Sequence, residues 1–102
     1  MIRHIVLTRF APATSEDVIA QIYAQLQALV LRLPGVSGFH GGRSASPEQL
    51  ERGYHHGFMI DFDSWAALAT YAEHPDHKAL GAQLVQHAEG GIDGILVLDI
   101  EV

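Results

Sequence analysis

With 102 residues, 48% of them hydrophobic and 18% charged, the chain has the size and composition of a single globular domain. Its 12 acidic and 6 basic residues give a formal net charge of −6 without any Lys or Arg run, which argues against a nucleic-acid partner. Cysteine is absent, which removes disulfides and thiolate chemistry and suits a reducing cytoplasm, and no run approaches the ~20 apolar residues of a membrane span or the core of a signal peptide.

Residues 2–10, IRHIVLTRF, alternate as a strand: Ile2, His4, Val6, Thr8 and Phe10 face one way, Arg3, Ile5, Leu7 and Arg9 the other. Apolar residues on both faces predict that both are covered. In APATSED, Thr14 or Ser15 can cap a helix, and Thr14 with Asp17 fits a capping box. Val18, Ile19, Ile22, Tyr23, Leu26, Leu29, Val30 and Leu33 recur at helical spacing. They predict an amphipathic helix of about five turns, stopped by Pro34-Gly35.

VSGFHGGRS, residues 36–44, reads as a second strand loosened by its glycines, and Ser46-Pro47-Glu48 suits the start of a short helical turn. Residues 54–62, YHHGFMIDF, alternate again, with Tyr54, His56, Phe58, Ile60 and Phe62 on one face. Asp63-Ser64 can cap a short helix that Trp65 is expected to anchor on the core. Pro75 opens a further helix, Gly90, Gly91 and Gly94 stop it, and ILVLDIEV closes the chain as a strand. Helix stop is also the better reading of those glycines than a phosphate loop, because they follow a helix instead of opening one.

The order β-α-β-β-α-β is the split arrangement of an α+β, ferredoxin-like fold with an antiparallel sheet, one domain over residues 1–102. Its helices cover one face of the sheet, and His4, Val6, Phe10, His56, Phe58 and Ile60 are expected on the other. So apolar a face predicts a homodimer with two sheets packed together.

IRHIVLTRF at the start, PGV after the first helix, RGYHHGF entering the third strand and YAEHPDH together resemble the stress-responsive α/β-barrel domain family, Dabb, over almost the whole chain. The resemblance implies a dimeric α+β barrel enclosing a central space. A plant polyketide cyclase of that family forms olivetolic acid by aldol-type ring closure. Its catalytic pair, the tyrosine and second histidine of Y-x-x-H-P-x-H, implies Tyr71 and His77 here. Pocket histidines are implied at His4 and His56. Ile22, Tyr23 and Leu26 stand where the cyclase helix is aromatic, His55 replaces a threonine, and QHAEGGIDG lacks the cyclase tryptophan. Those departures keep its substrate from carrying over.

The residues leave alternatives open beside that implication. An imidazole titrates at about pH 6.5 and can act as a base, with a tyrosine hydroxyl steadying an oxyanion. Pro75 and Asp76 are equally ordinary first-turn residues beside histidines that merely cap or pack. His74 and His77 are too few for a metal site, and no metal or other cofactor is expected. The expected ligand is a small, mostly apolar, carbonyl-bearing molecule, with His4, Val6, Ile22, Tyr23, Leu26, His56, Phe58 and His74 as lining residues. His40, His55 and His87 are expected at the surface, and Arg43 and Arg52 as solvated side chains. A non-catalytic stress or ligand-binding protein with structural histidines is the alternative, and cofactor-free oxygenation has no residue in its favour.

Overall fold

Eight elements make up the computed structural model, which describes residues 1–102: β1 (Ile2–Thr8), α1 (Glu16–Val30), β2 (Val36–Arg43), β3 (His56–Phe62), α2 (Trp65–Glu73), α3 (Pro75–His87), a 3-10 turn (Gly91–Gly94) and β4 (Ile95–Glu101). The sheet order is β2-β3-β1-β4, antiparallel throughout. This is the ferredoxin-like α+β topology, with all three helices on one side.

The sheet face that meets the helices is the reverse of the one expected. Ile2, Val6 and Thr8 of β1 and His56, Phe58, Ile60 and Phe62 of β3 are buried, and all but Thr8 and His56 belong to one core cluster with α1. So His4, Val6, His56, Phe58 and Ile60 lie under the helices, not on the open side. Alternation shows which residues share a face but not which face the helices choose. Here both faces were apolar enough to qualify. The open side instead carries Ile5, Leu7, Met59, Leu96, Leu98 and Ile100, matched across the sheet by Ile5↔Met59, Ile5↔Leu98 and Leu7↔Leu96. Leu96, Leu98 and Ile100 are 44%, 53% and 46% exposed. Arg3 and Asp61 close one end of that face with an ion pair at 2.9 Å.

Helix α1 presents Ile19, Ile22, Tyr23, Leu26, Leu29 and Val30 to the sheet. Ser15 is its cap, accepting from the Val18 N–H at 3.2 Å, while the Thr14 hydroxyl donates to the His87 carbonyl at 3.2 Å. The helix stops at Val30, short of Leu33, and Leu31 is exposed. Trp65, expected as an anchor, is 51% exposed; Tyr71 is the buried residue of α2. No helical turn forms at Ser46–Glu48, where the Ser44 and Ser46 hydroxyls accept from backbone N–H groups and hold a turn. His40 and His55 are exposed, whereas His87 is half-buried.

Pro75 sits in the first turn of α3, and the His74 ring accepts the Asp76 N–H at 3.0 Å as its cap. That corner turns α2 into α3 and sets Tyr71 and His77 facing each other.

Candidate active site

The last turn of α2 and the first of α3 bring the Tyr71 and His77 rings to 4.4 Å, centroid to centroid. His77 Nδ1 lies 3.0 Å from the Ala72 carbonyl. A carbonyl only accepts, so Nδ1 carries the proton and the neutral ring keeps its lone pair on Nε2. Burial lowers the His77 pKa from its ordinary value, partly opposed by the bond to Ala72, and His4, His74 and Lys78 lower it further. The neutral, basic form is therefore favoured.

Tyr71 is 1% exposed, and its hydroxyl has no hydrogen-bond partner in the chain. Burial raises its pKa, so it remains a protonated donor. Its ring stands edge-on to His4 at 5.9 Å. His4, in turn, donates Nδ1–H to Asp99 Oδ1 at 2.6 Å across the β1–β4 register, where the two residues are direct partners. Asp99 was not singled out from sequence. One of only two acids in ILVLDIEV, beside Glu101, it was the available signal, but only the strand register places it opposite His4.

His4, Tyr71 and His77 border a cavity of about 440 Å³ between α3, the sheet and the 3-10 turn. Val6, Leu26, Phe58, Leu84 and Val97 supply apolar wall, with His4, Tyr71 and His77 as its polar points and Lys78 at its edge. Of the expected lining residues, His4, Val6, Leu26 and Phe58 are in this wall. Ile22 is sealed in the core, and His74 is occupied as the α3 cap.

His56 and Tyr23 lie elsewhere. His56 pairs with Thr8 and His4 with Ile60, which puts the two histidines four residues apart on one face, about 13 Å along the strand. His56, 5% exposed, donates Nε2–H to Glu16 at 3.0 Å and packs against Phe10 and Tyr23. The bond from His56 lowers the Glu16 pKa, and Arg43 adds an ion pair at 2.9 Å. Burial raises the Tyr23 pKa, with Glu16 adding to the effect. The cluster ties the start of α1 to the sheet. No three His, Asp or Glu side chains gather so as to hold a metal ion, and no helix is long and apolar enough to cross a membrane.

Known proteins share this architecture. A dimeric ferredoxin-like protein of unknown function from Jannaschia sp. CCS1 superposes with TM-score 0.92 at 38% identity, covering 99% of this chain and 98% of that one. The stress-response A/B barrel domain-containing protein HS1 of Arabidopsis thaliana is 31% identical over 98 residues, 96% of this chain and 86% of that protein. A hydroxynitrile lyase from Passiflora edulis gives TM-score 0.85 over 99% of this chain and 92% of that one, at 24% identity, a likeness of fold alone. Residues 2–102 match the family described as Stress responsive A/B Barrel Domain. The chain belongs to that family, Dabb.

Proposed function

We propose that the chain acts as a homodimer whose cavities each bind a small, mostly apolar, carbonyl-bearing molecule and move a proton beside its carbonyl, in the manner of an aldol-type cyclase. The observation that carries this reading is the pairing of a buried, partnerless Tyr71 hydroxyl with a His77 ring whose tautomer is fixed by Ala72. A buried donor without a partner costs about 1–3 kcal/mol, and an oxygen of a bound ligand would recover it. The dimer reading rests on the exposed Leu96, Leu98 and Ile100 of the open sheet face, with the dimeric relative from Jannaschia in support. A chain without cysteine fits a reducing compartment such as the cytoplasm.

The steps follow from the two side chains. His77 Nε2 removes a proton from the carbon next to the carbonyl, and the electron pair moves onto the carbonyl oxygen. Tyr71 donates a hydrogen bond to that enolate oxygen. The enolate carbon attacks a second carbonyl of the same molecule, one carbon–carbon bond forms, and the new alkoxide takes the proton back from His77. Asp99 keeps His4 edge-on to Tyr71, where it limits how the ligand lies.

One observation favours a non-catalytic binding protein as the second reading: the Tyr71 hydroxyl is shut off from water, so a ligand oxygen reaches it only after neighbouring side chains shift. Titration with 2-heptanone, followed by amide NMR, tests the shared part of both readings. Shifts concentrated at His4, Tyr71, His77 and Val97 are expected. Shifts confined to the Glu16–His56 end, or none, would overturn the cavity assignment.

A further inference from the structure

The charges around the cavity are distributed unlike those elsewhere on the surface. Four other clefts each have a carboxylate in their walls: Glu16, Glu51, Asp76, and Glu16 with Glu89. The cavity beside Tyr71 and His77 has none, although the chain carries 12 acidic residues against 6 basic. Its one cation is Lys78, the only lysine in the sequence. Of the five arginines, Arg3, Arg9, Arg32 and Arg43 are ion-paired, with Asp61, Glu89, Asp76 and Glu16, while Arg52 is unpaired and lines a different cleft beside Glu51. Lys78 has no such partner, and the nearest acid of its own helix turn, Asp76, is engaged by Arg32 at 2.9 Å.

We infer that the ligand of this cavity is a keto acid, its carbonyl at Tyr71 and His77 and its carboxylate at Lys78 on the rim, with an aliphatic chain against Val6, Phe58 and Leu84. This rests on the cavity reading above and narrows it. A single ammonium on a flexible stem suits a monoanion; a phosphate dianion is ordinarily held by several donors or a guanidinium fork. No carboxylate lines the wall itself, and the one behind it, Asp99, is turned onto His4 Nδ1 at 2.6 Å, which limits repulsion of an entering carboxylate. The apolar wall excludes water from the chain between the two polar ends. Lys78 follows His77 directly in the first turns of α3, so one helix carries both the base and the anchor.

Calorimetric titration with 4-oxononanoate and its neutral primary amide separates this inference from the reading beneath it. The acid is expected to bind about fivefold more tightly than the amide, the upper range for a partly exposed ion pair, and the margin shrinks in high salt. Lys78→Met removes the preference, so that acid and amide bind it equally, while Lys78→Arg retains it. Equal binding of acid and amide to the parent protein, or a preference that survives Lys78→Met, overturns the keto-acid inference alone. If neither compound binds the parent protein, the cavity reading fails and the inference with it. Lys78 is exposed, so loss of fold does not complicate the comparison.

Discussion

Tyr71 and His77 meet across the corner between two helices, 4.4 Å apart, and only one of them is satisfied by the protein. His77 has the Ala72 carbonyl, whereas the Tyr71 hydroxyl has nothing. Packing alone would favour phenylalanine at position 71. Tyr71→Phe is therefore expected to stabilise the fold by about 1 kcal/mol, because it deletes an unsatisfied buried donor. Ligand binding or turnover is expected to fall in the same variant. Thermal melts paired with a ketone titration check both halves. A loss of stability would show that the hydroxyl is held by the fold instead.

The histidine carries a pH signature. Its pKa in the folded protein lies below the ordinary 6.5, so the unfolded chain takes up the proton first as pH falls. Stability from the neutral ring is fully present above pH 6.5 and is lost as pH drops from there through the folded-state value. His77→Gln should flatten the melting-temperature profile in that window. Glu16 and Asp61, whose pKa values are lowered by His56 and Arg3, act at more acidic pH, their contribution being lost from the ordinary carboxylate range downward. A profile unchanged by the substitution would contradict the burial of His77.

Leu98 lies on the open face beside Ile5. Leu98→Glu puts a charge into the patch that the dimer reading buries. Light scattering should give a dimer mass for the parent protein at micromolar concentration and a monomer mass for the variant. A parent protein that is already monomeric would remove the dimer from the account.

Much of this architecture was legible beforehand. The strand pattern of IRHIVLTRF, the serine before α1 and the proline at the start of α3 each act locally, through alternation, capping and a fixed φ. The orientation of the sheet was not legible, since Ile5 and Leu7 compete with Val6 and Phe58 as core residues and only packing decides. Two pairings were also invisible in the chain. Asp99 meets His4 through strand register, and Glu16 meets His56 across 40 positions of sequence. The expected grouping of His4 with His56 mistook a shared face for a shared place. Trp65 failed for a simpler reason: a large apolar residue at a helix start need not point inward.

Gly94 tests how tightly the turn before β4 is built. A Cβ there would collide with the Glu89 carbonyl oxygen and lie 3.2 Å from the Arg9 carbonyl oxygen, both backbone atoms. Those atoms cannot swing aside as a flexible side chain would. Gly94→Ala is expected to destabilise the fold by roughly 1–3 kcal/mol in chemical denaturation. Since the turn borders the cavity, weaker ligand binding should accompany it. Gly42→Ala, where the added carbon meets nothing within 4 Å, is the matched control.

Proton transfer beside a bound carbonyl is the central claim, and deuterium incorporation into 2-heptanone in D2O, read by proton NMR, tests it without knowledge of the natural substrate. The parent protein should accelerate exchange at the carbons flanking the carbonyl by roughly 10²-fold or more over buffer, with His77→Ala and Tyr71→Phe close to the buffer rate. Exchange no faster than buffer with the ketone demonstrably bound would leave a binding protein and contradict the catalytic account, as would exchange at the parent rate in both variants.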